Sequence, residues 1–429
     1  MISNKNNRIL VFTAMCLILC SSLIVPYLSL AEIESPTKDW ENQLNCWQIS
    51  IIGTNTEGKL IVVQHKEDYS RTISKFDSEG TETHITSISR YGAYSTINSS
   101  DWIFGLTLIE TDIVENITIN ALNKDFNEFS GNISNEDLNC ESAISDSYIL
   151  TSDNHLYICD NVMEYNSDEE NWEYTGITYI YKKKIEFITS TIGEQTHIEL
   201  RTSDIWNISF LERRWIECVS NAENDNIFLY ISNLSENIYE LLLLDANTGE
   251  TKWVKQFDNQ IELCSASSKK MLIVYYEGER YYSPLIFEMY DENKEKIWEH
   301  RVAINNDILS IGGLRSNGDK IIFAIYDQST ENNTVDYGIY ILNDRGILQT
   351  QLEWTDTDEY IRLITDLFVE DENFYYSKFE NPLVCNTKLY KYSFEEITKT
   401  GNSVSILIVL FTLAIVSVIK LRQKKIKKI

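Results

Sequence analysis

Three short motifs in this chain contain residue types that serve in acyl transfer. Ser267–Lys270 provides a Ser-x-x-Lys element, Ser152–Asn154 a Ser-Asp-Asn element and Lys399–Gly401 a Lys-Thr-Gly element. In serine acyl-transfer enzymes the Ser-x-x-Lys element supplies the nucleophile. That element should come first in the chain and open a helix, whereas here it lies in a turn before the strand run that starts at Met271. We therefore interpret the three motifs as a chance match.

The sequence also contains no complete motif for metal binding or for acid–base catalysis. The pairs Asp356/Asp358 and Glu169/Glu170 could bind calcium or exchange protons, but no calcium loop with its glycine and terminal glutamate is complete. The histidines show no paired spacing for zinc; they are His65, His84, His155, His197 and His300. We therefore predict no catalytic residue, no metal ligand and no cofactor, with calcium the one ion left open. Whether the chain is an enzyme stays undecided, with the residues favouring a non-enzymatic role.

The two ends of the chain predict export and a membrane anchor. Met1–Ala31 has a basic start, an apolar stretch and small residues before Glu32, as in a cleavable signal peptide. Residues 403–421 form the expected membrane span, and their uncharged apolar run, Val404–Ile419, can at about 1.5 Å per residue nearly cross a bilayer. Residues 422–429 are basic, which favours the cytoplasmic side. We expect a single-pass protein of the cell membrane with residues 32–402 outside and the C-terminus in the cytoplasm.

The exported part is strongly acidic. Of 37 Lys and Arg residues, two lie in the signal and six after residue 402, which leaves 29 against 65 Asp and Glu, a formal charge of −36. Such a charge makes nucleic acid an unsuitable partner, because phosphate binding requires a basic surface. It is compatible with a basic or calcium-rich partner surface, or with a solvated acidic surface that serves solubility.

Cysteines and sequons fit an exported domain. The six cysteines left after signal removal allow up to three disulfides, whose pairing the sequence leaves open; they are Cys46, Cys140, Cys159, Cys218, Cys264 and Cys385. Six Asn-x-Ser/Thr sequons predict glycosylated loops; they begin at Asn98, Asn116, Asn132, Asn207, Asn233 and Asn332.

Short runs rich in β-branched and aromatic residues recur between Asn, Asp, Gly and Ser clusters, which predicts an all-β chain. Units of similar pattern begin near Cys46, Ala93, Cys140, Cys218, Cys264, Ile311 and Leu363. Most steps are 46 to 52 residues, a length that suits a four-stranded blade. The step after Cys140 is about 78 residues, so either an insertion lies around Asn166–Trp172 or an eighth unit is present. We expect a β-propeller, most simply of seven blades, with six to eight allowed.

Several units contain an acidic turn followed by a tryptophan. The best copy runs from Asp245 through Gly249 to Trp253. Weaker copies are Asp291 leading to Trp298 and Asn343–Gly346 leading to Trp354, while Phe76–Gly80 has the turn without a tryptophan. Asp and Gly favour a tight hairpin between the two outer strands. The tryptophan would then pack between neighbouring sheets.

The segment Asp245–Trp253 resembles the repeat of the pyrroloquinoline-quinone-like (PQQ-like) β-propellers. That superfamily includes quinoprotein dehydrogenases and non-enzymatic scaffolds, so the resemblance implies a bladed disc with a central funnel. It does not imply the quinone, because no motif here carries the calcium site, catalytic acid and stacked tryptophan of the dehydrogenases.

We therefore expect a cell-surface β-propeller that acts as a binding or scaffolding module for a protein or a surface glycan. One alternative is a hydrolase or lyase of surface glycans, which would show carboxylates converging with Arg or Tyr at one mouth of the funnel. A second is a factor for membrane-protein assembly or quality control, since the dilysine ending Lys425–Ile429 would fit retrieval in a eukaryote.

Overall fold

The computed structural model describes residues 35–395, apart from 69, 89–91, 98–101, 111–114, 124, 126, 134–142, 151–154, 167–170, 193–194, 211–213, 223–225, 234–237, 268, 305, 332–333, 357–363 and 382–385. The described residues form strands and turns without any helix. A helix long and apolar enough to cross a membrane is accordingly not found among them. The predicted signal (1–31), membrane span (403–421) and basic tail (422–429) lie outside the described residues.

In the described part of the chain, the strands form seven antiparallel sheets of four strands each. We number the sheets along the chain and name their strands from the innermost outward. Sheet 1 contains β2 (Gln48–Thr54), β3 (Leu60–His65), β4 (Arg71–Phe76) and β5 (Glu82–Ile88); sheet 2 contains β6 (Gly92–Ile97), β7 (Ile103–Glu110), β8 (Glu115–Leu122) and β9 (Glu128–Ile133); sheet 3 contains β10 (Ala143–Leu150), β11 (His155–Asn166), β12 (Asn171–Ile192) and β13 (Gln195–Phe210).

The remaining sheets follow the same plan. Sheet 4 contains β14 (Arg214–Ala222), β15 (Asn226–Asn233), β16 (Ile238–Asp245) and β17 (Thr251–Phe257); sheet 5 contains β18 (Ile261–Ser267), β19 (Lys270–Tyr276), β20 (Leu285–Asp291) and β21 (Lys296–Val302); sheet 6 contains β22 (Ile308–Asn317), β23 (Lys320–Ser329), β24 (Thr334–Asn343) and β25 (Leu348–Asp356). Sheet 7 contains β26 (Ile364–Glu370), β27 (Asn373–Asn381), β28 (Asn386–Ser393) and, as its outermost strand, β1 (Thr37–Leu44).

The sheets pack side by side in a closed ring, which is a β-propeller. Inner strands contact each other from sheet 3 through to sheet 7, from sheet 7 to sheet 1, and from sheet 1 to sheet 2, while sheets 2 and 3 meet through β9 and β13. The inner strands begin within about four residues of the seven unit starts seen in the sequence. The long unit is explained by the length of β11, β12 and β13; β12 alone has 22 residues. The expected insertion at Asn166–Trp172 spans the connection between β11 and β12.

The core lies between successive sheets rather than at one centre. Second strands such as β3 and β23 are buried on both faces, because a neighbouring sheet covers each side. Between sheets 5 and 6, Phe287 and Phe323 pack with ring centroids 4.6 Å apart. A sheet can therefore bury its apolar residues only when a neighbouring sheet packs on each side. Because every sheet meets this requirement in the same way, the β runs recur at a fixed period in the sequence.

The N-terminal strand completes the last sheet. β1 pairs with β28 along its whole length, from Thr37 opposite Ser393 to Leu44 opposite Thr387. Arg315 of β22 adds a second closure, because its guanidinium donates to the carbonyl oxygens of Ile51 and Ile52 in β2, the latter at 2.8 Å. The register of sheet 1 skips Ile52, so a β-bulge interrupts the regular pairing at the point where Arg315 binds.

Asp366 of β26, in sheet 7, also binds the backbone of β2 in sheet 1. Its carboxylate accepts the backbone N–H of Ile51 and that of Leu367. Burial raises the pKa of Asp366, whereas the nearby Arg315 charge and the two backbone N–H groups act to lower it. Charged side chains of sheets 6 and 7 thus hold the backbone of sheet 1.

The alternating strand directions give the ring two faces. Turns between first and second strands, and between third and fourth strands, lie on one face, which we call the turn face. Connections between second and third strands, and links from one sheet to the next, lie on the other face, which we call the loop face.

Candidate functional site

Tryptophans on four outermost strands join their sheet to the next one. Each indole N–H donates to a carbonyl oxygen in the turn between the third and fourth strands of the following sheet. The pairs are Trp40 with Ser78 (3.1 Å), Trp206 with Ala246 (2.9 Å), Trp253 with Glu292 (2.8 Å) and Trp298 with Asp344 (3.1 Å). In every case the acceptor follows the Asp or Asn that begins the turn.

The turns are built to receive these rings. The side-chain oxygen of Asp77, Asp245, Asp291 or Asn343 accepts two backbone N–H groups of its own turn. Gly80, Gly249 and Gly346 adopt positive φ, and Lys294 does so at φ 70° in the fourth turn. A Cβ at Gly346 would lie 2.8 Å from the Trp298 ring. Glycine therefore provides both the turn conformation and the space for the indole.

A β-bulge sets the position of the tryptophan. In β17 the register skips Lys252, and Trp253 follows it opposite Leu243. The same bulge precedes Trp40, Trp206 and Trp298. His84 in β5 and Thr350 in β25 occupy the corresponding position in sheets 1 and 6.

Trp354 does not belong to this set, although the sequence suggested it as a weaker copy. It lies four residues beyond Thr350, opposite Tyr337. Its ring stacks on Tyr337 with centroids 5.1 Å apart and an interplanar angle of 3°, and packs against Tyr376 on the other side. Among the described residues its buried indole N–H has no hydrogen-bond partner. Trp354 therefore contributes ring packing and a contact with the Lys378 ammonium group, 5.1 Å from its ring centroid, rather than a hydrogen bond.

The sequence motif combines a turn and a tryptophan of the same repeat. In the structure, by contrast, the turn receives the tryptophan of the preceding sheet, and the tryptophan contacts the turn of the following sheet. Asp245 and Gly249 belong to a turn that receives Trp206 of sheet 3, while Trp253 contacts the Asp291 turn of sheet 5. Trp298 contacts the turn that contains Gly346. Sequence reasoning missed Trp40 and Trp206. The signal that could have found them is a tryptophan two positions after a polar residue, as at Lys38–Trp40 and Asp204–Trp206.

Four predicted glycosylation sites lie on strands rather than in loops. Asn116 is in β8, Asn132 in β9, Asn207 in β13 and Asn233 at the end of β15. The loop expectation is therefore wrong for these four. Asn207 is exposed, since β13 is an outermost strand. Asn98 and Asn332 lie outside the described residues, and glycosylation of any site stays a prediction.

The cysteines are spread over several sheets. Cys46 is buried next to β2, and Cys264 in β18 is half-buried. Cys159 is in β11 and Cys218 in β14, while Cys140 and Cys385 lie outside the described residues. The disulfides stay a prediction.

The described residues show little of the chemistry of a hydrolase or a metal site. Ser50 and His65 share a hydrogen bond of 3.1 Å. Burial lowers the pKa of His65 to about 4, with a further contribution from Arg71, so this imidazole is neutral at pH 7 and a poor general base. Within the described part of the chain, no three His, Cys, Asp or Glu side chains gather as metal ligands would.

A strained loop on the loop face is the strongest candidate for a binding site. Residues 277–284 connect β19 to β20 and present Tyr281 and Tyr282, of which Tyr282 is 58% exposed. Tyr281 adopts φ 68°, a conformation that side chains other than glycine rarely take. Its carbonyl accepts the backbone N–H of Leu309 in sheet 6 at 2.8 Å. Such strain persists only where the surroundings enforce it, and it concentrates at functional sites.

An ion pair and two rings fix the base of this tyrosine loop. The Arg280 guanidinium binds the Glu262 carboxylate at 2.7 Å and lies over the Tyr281 ring, 4.8 Å from its centroid. The Tyr276 ring meets Tyr281 edge-on, and its hydroxyl donates to the carbonyl of Leu309 at 3.0 Å. Burial raises the pKa of Tyr276, and the Glu262 charge raises it further. The loop is therefore pre-organised rather than free to collapse onto the sheet.

Two cavities flank the tyrosine loop. One, of about 310 Å³, lies between sheets 6 and 7 and is lined by Tyr281 with largely apolar neighbours that include Ile308, Ile311, Val335 and Ile364. The other, of about 290 Å³, is lined by Arg280 with Asp258, Glu262 and Tyr239. An arginine, exposed tyrosines and adjoining pockets are the features that protein interfaces use as binding hot spots.

Neither a protein-family model nor a curated protein matches the chain. Among solved structures, Sqt1 of Saccharomyces cerevisiae is similar at 10% identity, with 83% of this chain and 99% of that chain covered and a TM-score of 0.45. The β-propeller domain of the Trilobed protease from Pyrococcus furiosus is similar at 12% identity, with 82% and 95% covered and a TM-score of 0.46. The assignment of the fold rests on the ring of sheets described above.

Proposed function

We propose that this protein is a seven-bladed propeller, one blade for each four-stranded sheet, that binds a partner protein on its loop face. The observation that carries the proposal is the tyrosine loop, where Tyr281 is held at φ 68° and Tyr282 is exposed beside it. An exposed aromatic side chain on a rigid backbone loses little conformational entropy when a partner covers it. The loop is thus suited to be the centre of an interface.

The proposal includes the relationship and the location that the sequence predicts. Four indole contacts that join one sheet to an Asp- or Asn-led turn of the next support a PQQ-like repeat, used here as a scaffold. The apolar and basic segments at the two ends support a cell-surface protein with its propeller outside. The partner would then be another surface protein or an extracellular one.

Site-specific cross-linking on intact cells tests both the docking face and the location. Tyr282→Cys is compared with Ile347→Cys, which replaces another exposed large side chain, in a turn of the turn face. Both variants are treated with a membrane-impermeant maleimide–benzophenone, with the unsubstituted protein as background. We expect both cysteines to be labelled, and illumination to give a discrete cross-linked species only from position 282.

Two outcomes would contradict the proposal, one for the location and one for the docking face. Absence of label at both positions would contradict the extracellular location. Equal cross-linking from positions 282 and 347, or cross-linking from 347 alone, would contradict the assignment of the loop face as the docking surface.

A further inference from the structure

The two cavities beside the tyrosine loop differ in chemistry, and together they indicate what kind of segment would fill them. We propose that the loop face binds a partner segment in which a large apolar side chain stands two to four residues from a lysine or arginine. This inference rests on the proposed function, since it names the partner chemistry of the same face.

The larger cavity is shaped for an apolar side chain. Its walls include Ile308, Ile311, Val335 and Ile364. Its floor is fixed, because the hydroxyl of Tyr326 accepts the backbone N–H of Ile364 at 2.8 Å. Gly312 allows this arrangement, since a Cβ there would lie 2.2 Å from the Tyr326 hydroxyl. A rigid apolar pocket of about 310 Å³ is at the small end of the sites that bind apolar groups.

The smaller cavity is shaped for a cation. Its lining includes the carboxylates of Asp258 and Glu262, of which Asp258 is exposed. Arg280 already shows how the site holds a guanidinium, between the Glu262 carboxylate and the face of Tyr281. An incoming arginine or lysine can use the Asp258 carboxylate, which lines this cavity, as its anion. The formal charge of −36 on the exported part also favours a basic partner through long-range attraction.

The spacing between the two groups follows from the loop. Tyr281 lines the apolar cavity and Arg280 lines the acidic one, and these neighbours have Cα atoms about 3.8 Å apart. An extended segment advances about 3.3 Å per residue. Two cavities of about 310 and 290 Å³ that meet at this residue pair have centres roughly 8 Å apart, a distance that two to four extended residues span while crossing over the tyrosine loop.

Synthetic peptides test this chemistry directly. The probe is a fluorescent nine-residue peptide with the central sequence leucine–serine–serine–arginine, compared with peptides in which serine replaces the leucine or glutamate replaces the arginine. Binding to the full chain is measured by fluorescence anisotropy. We expect each replacement to weaken binding at least tenfold, and binding of the parent peptide to weaken as salt rises from 50 to 500 mM.

Protein variants locate the site. Ser310→Leu fills the apolar cavity and should weaken the parent peptide tenfold or more. Asp258→Lys should do the same by charge repulsion, whereas Asp319→Lys, a matched reversal at an exposed turn of the turn face, should change affinity less than twofold. Because Asp258 is exposed, its replacement leaves the fold intact and keeps the test valid even if Ser310→Leu does not fold.

Equal binding of all three peptides, or equal effects of Asp258→Lys and Asp319→Lys, would overturn the proposed partner chemistry. If the peptides fail while position 282 alone cross-links a partner, the docking face stands and the apolar–basic segment is rejected. If cross-linking is equal at positions 282 and 347, the docking face itself is rejected.

Discussion

At the scale of single residues, the same side chain type plays two different roles. Trp298 and its three counterparts each donate an indole hydrogen bond to the next sheet. Trp354 is half-buried as well, yet it contributes stacking on Tyr337 and leaves its N–H without a partner in the described part of the chain. The difference arises from backbone register and not from the local sequence. A comparison of Trp298 with Trp354 therefore separates the contribution of the indole hydrogen bond to stability from the contribution of ring burial.

Replacing each ring by phenylalanine measures that difference. Trp298→Phe loses both volume and the bond to the Asp344 carbonyl, whereas Trp354→Phe loses volume and removes an unsatisfied donor. We expect Trp298→Phe to lower the free energy of unfolding by about 1 kcal/mol more than Trp354→Phe does. Urea-induced unfolding checks this. Equal losses for the two variants would show that the indole bond contributes nothing.

At the scale of elements, the working unit is a bulged outer strand together with an Asx turn of the next sheet. The bulge places one residue over the neighbouring turn, and the turn presents a carbonyl and a glycine or left-handed residue to it. The tryptophan–turn contact joins sheet 7 to sheet 1, sheet 3 to sheet 4, sheet 4 to sheet 5 and sheet 5 to sheet 6. From sheet 1 to sheet 2 the same bulge carries His84, although Asn123 forms the matching turn with two backbone N–H groups.

Installing the missing tryptophan tests whether bulge and turn suffice. His84→Trp should place an indole over the Asn123 turn and stabilise the protein by up to about 1 kcal/mol, seen as a higher melting temperature. Thr83→Trp is the matched control, because Thr83 is the residue that the register skips. A gain from both variants, or a loss from His84→Trp alone, would contradict the role assigned to the bulge.

The sequence contained most of the information at this scale but not all of it. Strand runs, their period and the Asp–Gly turns could be predicted, because periodicity and turn chemistry are local. The partner of each tryptophan could not be predicted, since it lies in another repeat about 40 residues away. The strand β1 could not be predicted for a different reason: Thr37–Leu44 is mostly polar and five of its eight residues are exposed, so no hydrophobic pattern marks it as a strand. The positive φ of Tyr281 could not be predicted either, because no residue type in its loop indicates it.

At the scale of the whole molecule, the ring depends on contacts between the two ends of the propeller sequence. β1 and β28 are more than 340 residues apart and form one antiparallel pair. Arg315 and Asp366 bind the backbone of β2 from sheets 6 and 7. Closing so long a loop costs conformational entropy, but the cost grows only slowly with length. Closure in turn removes the exposed edges that an open row of sheets would leave, and it fixes the loop face on which the tyrosine loop lies.

The most direct test of this account is an engineered disulfide across the closing strand pair. Gln43 in β1 lies opposite Lys388 in β28, and Lys378 lies one strand further at the same level. Paired strands bring Cα atoms to about 5 Å, within disulfide reach, whereas a second strand spacing exceeds it. Mass-spectrometric peptide mapping under oxidising conditions should find a disulfide in Gln43→Cys/Lys388→Cys and none between positions 43 and 378 in Gln43→Cys/Lys378→Cys. Absence of the first bond, or equal yields of both, would contradict the closed ring.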